Sequence, residues 1–289
     1  MTDFMQGMTR QTLRANGVRY NVWTGGAGPA LVLLHGYPQT GQMWRKMTPA
    51  FVNQYSVVVP DLRGYGDTDK PRDGYDKRSM ASDIAALMRA LGHEKFAVVG
   101  HDRGARVAHR LALDHPDAVT RLVVLDIVPT HTVFRDAGKD LAAAYWHWFF
   151  FQVPDLPEVM IGNSAEPFLR HVFRALTYRA GAIEEPMFQE YLRAFRLPGT
   201  IRAGLEDYRA AATVDLADDE RDFGKKIGCP VLAIWGEYGK MHQLFDVVAT
   251  WREKAADVRG LSLPCGHFIP EEAPDELLSH LLPFLRRGN

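Results

Sequence analysis

Short apolar runs punctuate the first part of the chain, at residues 31–34, 55–59, 96–99 and 122–127. Each is too short for a buried helix, so each reads as a strand covered on both faces. Val18, Tyr20 and Val22 instead alternate with polar residues, as in a half-buried strand near a sheet edge. Between the runs the period lengthens, and Met80, Ile84, Met88 and Leu91 fall on one face of a helix. Alternating strands and helices predict the α/β class: a mainly parallel sheet flanked by helices, with right-handed crossovers. Past Pro129 the rhythm changes. From about residue 130 to 226 no buried strand stands out, and helical stretches carry the aromatics Tyr145, Trp146, Trp148, Phe149, Phe150 and Phe151. Strand patterns return at 231–235 and 261–263, and Leu277, Leu278, Leu281, Leu282 and Leu285 mark a last helix. The expected organisation is a core of residues 1–128 and 227–289, with a helical cap, 129–226, inserted.

Composition narrows the partners. With 289 residues and a formal net charge of −1, the chain has no basic field to recruit nucleic acid or an anionic membrane. An anionic substrate must therefore be met by local arginines. Residues 1–10 lack the basic segment and apolar core of a signal peptide, and no apolar stretch approaches the roughly 18–20 residues that span a bilayer. A cytoplasmic location is expected. Cys229 and Cys265 are expected to be reduced structural thiols, since two cysteines make neither a disulfide framework nor a zinc site. No metal or other cofactor is expected.

Four predicted strand ends carry unusual residues: His35-Gly36-Tyr37-Pro38, Asp102, Asp126 and Cys265-Gly266-His267-Phe268. In open parallel sheets such ends hold the active site. The run 96–99 leads into Gly100-His101-Asp102-Arg103-Gly104 and then a helical pattern. This is the strand–elbow–helix context of an α/β-hydrolase, with Asp where the common motif has Ser. A carboxylate suits displacement at saturated carbon and leaves an ester on the enzyme. Asp102 is thus the candidate nucleophile, and His267 the general base that activates water to hydrolyse the ester. Asp126 would hold the tautomer of His267. The backbone N–H groups of Tyr37 and Arg103 are candidates for an oxyanion hole. Many relatives place the acid in a Trp-Gly-x-x-Asp turn. Here that turn reads Trp235-Gly236-Glu237-Tyr238-Gly239, which favours Asp126 and leaves Glu237 in reserve. His101 is expected to support the elbow.

These segments resemble the haloacetate, or fluoroacetate, dehalogenase branch of the α/β-hydrolases. The similarity runs through residues 35–39, 61–66, 100–106, 125–129, 145–149, 206–210 and 266–268, and pairs His-Asp-Arg-Gly-x-Arg with Trp-His-Trp in the cap. It implies that Arg103 and Arg106, whose planar guanidiniums offer paired donors, clamp the carboxylate of a small haloacid substrate. It implies a halide site made by His147, Trp148 and Tyr208, all hydrogen-bond donors. It also implies a homodimer. Phe149, Phe150 and Phe151 are expected to be packing. One departure is visible: where the branch has a further cap Trp before an Arg-x-Gly turn, this chain reads Ala175-Leu176-Thr177-Tyr178-Arg179-Ala180-Gly181. Three rival readings share the elbow. An epoxide hydrolase uses the same Asp nucleophile with two cap tyrosines and no carboxylate clamp. A haloalkane dehalogenase is disfavoured by the same arginines, and a non-catalytic binding module on the fold is the third.

Overall fold

The computed structural model describes residues 4–286. Among them eight strands form one sheet: β1 (Thr9–Ala15), β2 (Val18–Gly25), β3 (Ala30–Leu34), β4 (Ser56–Pro60), β5 (Phe96–His101), β6 (Val119–Leu125), β7 (Val231–Gly236) and β8 (Val258–Leu263). Their order across the sheet is β1-β2-β4-β3-β5-β6-β7-β8. Only the β1–β2 and β2–β4 pairs are antiparallel.

The uninterrupted apolar runs became the central strands for the expected reason. β3 and β5 are buried along their whole length, because helices cover both faces of a parallel sheet. Helix Lys77–Ala90, started by the Asp76 side chain accepting from Ser79 N at 2.8 Å, buries Met80, Ile84 and Met88. The run 122–127 stops short of its last residues: β6 ends at Leu125, and Asp126 lies just beyond. The edge strand β1 carries almost no apolar signal, since only Ala15 in it is buried.

Between β6 and β7 the chain forms helices from Thr130 to Arg221, and no strand appears there among the described residues. β3 leads outward to β4 on one side, whereas β5 lies on its other side. Their carboxyl ends therefore flank a crevice where the winding of the sheet reverses, the usual place for a ligand. The helical segment arches over this crevice, and residues from both line one cavity. No helix among the described residues is long and apolar enough to cross a membrane.

Candidate active site

Asp102 sits at the tip of the β5 turn with φ 46° and ψ −116°, a backbone conformation that a non-glycine residue adopts only when its surroundings enforce it. The enforcement is close packing. A Cβ on Gly104 would lie 2.3 Å from the His35 carbonyl oxygen, and one on Gly100 would lie 2.6 Å from Ala105 Cα. With those side chains absent, the helix Arg103–Asp114 starts hard against β3 and thrusts the Asp102 carboxylate into the cavity.

That carboxylate is asymmetrically held. Its Oδ2 accepts the Tyr37 backbone N–H at 2.9 Å, and no hydrogen bond from a described residue reaches Oδ1. In the hydrolysis of an Asp102 ester, negative charge develops on the carbonyl oxygen of Asp102 itself. A donor already aimed at Oδ2 is therefore an oxyanion-hole donor for that step. The N–H of Arg103 opens the helix directly after the nucleophile, among the helix-start donors without an intrahelical acceptor. Burial pushes the Asp102 carboxyl up, but the charges of His267, Arg103 and Arg106 outweigh it and hold the group below its ordinary value. The nucleophile is ionised.

His267 follows β8, and its Nδ1–H donates to Asp126 Oδ2 at 2.6 Å. This bond fixes the tautomer and leaves Nε2 to take a proton. Burial disfavours the imidazolium, yet the Asp126 bond and charge, then Asp102 and Glu272, raise the His267 pKa above its usual value. Asp126 also has positive φ, 53°, and its Oδ1 accepts Gly236 N at 2.9 Å. Glu237 is exposed, and its backbone N–H reaches Leu263 O. The reserve reading of Glu237 as the orienting acid is thus corrected. The turn carrying it does approach the acid, for a Cβ on Gly239 would stand 3.5 Å from Asp126 Oδ1. Residue 239 therefore stands at ordinary van der Waals distance from Asp126, which places this turn beside the acid. His101 is wholly buried, and its Nε2–H donates to the His267 carbonyl at 2.8 Å. Burial and His267 pull its pKa down to about 3, so it supports the elbow as a neutral ring.

The two arginines, alike in sequence, have different surroundings. Arg103 is fully buried and committed: its Nε donates to Asp207 Oδ1 at 3.0 Å and its Nη2 to the Asp207 carbonyl at 2.7 Å. Lys77 also bonds the Asp207 carboxylate, and Tyr65 donates its hydroxyl to it at 2.7 Å. Burial opposes the Arg103 charge, but Asp207 more than restores it. Only Nη1 is left without a partner. Most of the Arg103 fork thus belongs to Asp207, which pattern reading missed, and only Nη1 is left for the expected contact with a substrate carboxylate. The signal was present in the segment Glu206-Asp207-Tyr208, but the partners lie 104 positions apart.

Arg106 differs. It is 3% exposed and lines the cavity beside Asp102. Its Nη1 donates to the Val128 carbonyl at 3.1 Å and to Thr130 Oγ1 at 2.9 Å, both neutral. No described carboxylate lies within ion-pair distance of it. Burial and the like charge of Arg103 pull its pKa down to about 10, so it remains a cation. A buried guanidinium without an anion is costly. The cavity supplies the place for one.

The cap wall holds His147, Trp148 and Tyr208 together. Tyr208 meets Trp148 edge-on at 5.5 Å between ring centroids and His147 at 5.7 Å. Trp148 lies under the Arg106 guanidinium at 4.6 Å, and Tyr208 under that of Arg103 at 4.3 Å. Burial pulls the His147 pKa down to about 4, making it a neutral donor. Burial, then Asp102, push the Tyr208 hydroxyl up, so it stays protonated. Phe151 is fully buried packing, whereas Phe149 is 40% exposed and does not fit the packing expectation. Ala175 and Leu176 form the wall where the further tryptophan was missing, and Trp146 reaches the cavity from another helix. Tyr145, not singled out from sequence, also lines it. The enclosed space is about 60 Å³. Among the described residues no group of three or more His, Cys, Asp or Glu side chains is gathered as metal ligands. Both cysteines are free, and Cys265 is buried.

The family model for the alpha/beta hydrolase fold matches residues 29–274. A fluoroacetate dehalogenase of Burkholderia sp is 42% identical over 97% of this chain and 94% of its own length. A soluble epoxide hydrolase of Corynebacterium sp. (strain C12) is 37% identical over 96% of this chain and 97% of its own. The crystal structure of ALR0039 from Nostoc sp PCC 7120 superposes with a TM-score of 0.96 at 49% identity, covering 99% of this chain and 100% of that one. Strand order, elbow, triad geometry and these likenesses agree: the chain belongs to the alpha/beta hydrolase fold family.

Proposed function

We propose that this hydrolase removes halide from small 2-haloacids, with fluoroacetate to glycolate the leading case. The observation that carries the reading is Arg106, a buried cation without a carboxylate partner that faces the same cavity as the nucleophile. A haloacid brings the missing anion and sets its neighbouring carbon toward Asp102. The free Oδ1 attacks that carbon, the carbon–halogen bond breaks, and halide leaves with the bonding electrons. His147, Trp148 and Tyr208 supply donors for the departing charge. A single comparable donor is worth about 2.7–4 kcal/mol in a transition state, which matters most for fluoride, the poorest leaving group.

Water then attacks Cγ of the Asp102 ester, and His267 Nε2 takes its proton. The oxyanion forms at Oδ2 against Tyr37 N–H and collapses, breaking the Cγ–Oδ1 bond, and the departing oxygen takes the proton from His267 to give glycolate. The cap segment, 129–226, is in this reading the part that selects the leaving group. The same reading carries the homodimer that the resemblance implies, for which sedimentation velocity is a direct test.

One observation favours a second reading, an epoxide hydrolase: Tyr145 and Tyr208 both line the cavity with Asp102, and both stay protonated. Two such phenols can protonate an opening ring. An epoxide, however, leaves Arg106 without its anion, and a space of about 60 Å³ suits a substrate of few atoms. Incubation with fluoroacetate, chloroacetate and styrene oxide, followed by halide and diol assays, decides between them. Halide from the acids is expected. Diol without halide overturns the proposal, and no product from any of the three leaves a binding module.

A further inference from the structure

The loop that carries His267 is anchored by a side chain with no part in the triad. Glu272 is buried, although it is a charged residue a short turn after the histidine. Its Oε2 accepts the Gly266 N–H at 3.0 Å, and its Oε1 accepts that of Phe268 at 3.1 Å. The N–H between them, of His267 itself, donates to the Leu176 carbonyl in the cap at 2.9 Å. Three consecutive backbone donors around the base are thus tied down.

The same carboxylate reaches across to the cap. Oε2 also accepts the N–H groups of Tyr178 and Arg179, each at 2.8 Å. Arg179 returns the contact, with Nη1 on the Glu272 carbonyl at 2.9 Å and Nε on the Pro264 carbonyl at 3.2 Å. The approach is tight enough to require glycine at residue 266, where a Cβ would stand 2.6 Å from the Leu176 carbonyl oxygen. Leu176 in turn lines the substrate cavity.

We infer that Glu272 is a positioning residue for His267, and that it joins the base to the cavity wall at residues 176–179 as one unit. A carboxylate accepting four backbone N–H groups defines the path of both segments at once. Moving the cap wall away from the cavity would remove the Leu176 carbonyl from His267 and two of the four donors from Glu272. The base is therefore held in line with the Asp102 ester only while the wall is docked. The inference rests on the two-step reading above, in which His267 acts on the ester alone.

That division supplies the test. With Glu272→Gln and chloroacetate, attack by Asp102 should proceed near the wild-type rate, giving a burst of one chloride per site. Ester hydrolysis should then slow by about 10- to 100-fold, the effect of a small misplacement of a reacting group. Intact-protein mass spectrometry should show the carboxymethyl adduct building up on Asp102. Glu272→Ala should lengthen the adduct lifetime further, and if it fails to fold, the near-isosteric Gln variant alone decides. A merely structural role predicts a lower Tm with both steps slowed alike and no adduct, and that result overturns the inference. His267→Asn serves as the control. If it accumulates adduct while Glu272→Gln turns over like wild type, Glu272 is not the positioning residue. If His267→Asn itself shows no adduct, the two-step reading fails and the inference with it.

Discussion

On the core wall of the cavity the reacting groups are held by hydrogen bonds before any substrate arrives, whereas on the cap wall the side chains present ring faces and unengaged donors. Asp102 is held by Tyr37 N–H, His267 by Asp126, and Asp126 by Gly236 N–H. Across the cavity, Tyr208 meets both His147 and Trp148 through their rings, and no hydrogen bond joins the polar side-chain atoms of the three to another described residue. The difference teaches where each property of the reaction resides. A preorganised core wall sets the kind of chemistry, because its donors need no rearrangement as charge develops. In the proposed reaction the cap wall sets which leaving group that chemistry can expel.

Substitutions can break this comparison from either side. The largest effect is expected at Asp126→Asn. An amide in place of the carboxylate favours the wrong His267 tautomer, and ester hydrolysis should fall by about 10⁴-fold. First-turnover halide release should survive, as rapid quench can show. Equal loss of both steps would mean that Asp126 does more than orient the base. Next is Arg106→Gln, which removes the free cation. The KM for haloacetate should rise by about 10²-fold or more, the consequence of leaving a buried carboxylate unpaired. An unchanged KM would move the anion site elsewhere.

Tyr208→Phe tests the cap wall. Loss of one donor should slow fluoride release by about 10²-fold and chloride release less, since fluoride concentrates its charge on a smaller atom. The same loss for both halides would erase the proposed division between the walls. The smallest effect is one of pH. His267 must be neutral to act as base, and its pKa is raised, so turnover limited by ester hydrolysis should climb as pH rises through a midpoint above the ordinary histidine value. The groups facing His267 are Asp126, Asp102, Glu272, His101 and His147. Alkylation removes the charge of Asp102, one of those that raise the pKa. The midpoint measured on the trapped ester should therefore lie below that of the free enzyme. A higher midpoint in the ester would contradict the assignment.

The parts of the molecule that could be read from the sequence are those whose physics is local. A strand covered on both faces must be apolar throughout, so β3, β5 and β6 announce themselves, and the polar residues at their ends stand out. Asp102, Asp126 and His267 were legible in this way. β1 was not, because an edge strand with one buried residue leaves no hydrophobic period. Asp207 and Glu272 were not, because their meaning lies in partners that only the fold brings near. Asp207 bonds Arg103 and Lys77, and Glu272 bonds both its own loop and the cap. Two consecutive acids, Glu271 and Glu272, set between Ile269-Pro270 and Ala273-Pro274, were the available hint. Both prove buried.

The single hydrogen bond from Tyr37 N–H to Asp102 Oδ2 also gives the two oxygens of one carboxylate different histories. While that bond holds, Oδ2 stays in place through every cycle. In the proposed cycle the other oxygen departs inside the product and is replaced from water. In heavy-oxygen water, the first glycolate released should then carry the unlabelled oxygen that the protein was synthesised with. Solvent label should enter product only from the second turnover, and Asp102 should saturate at one heavy atom. In that cycle the enzyme is a reactant that is rebuilt each time, and Tyr37 determines which half is original.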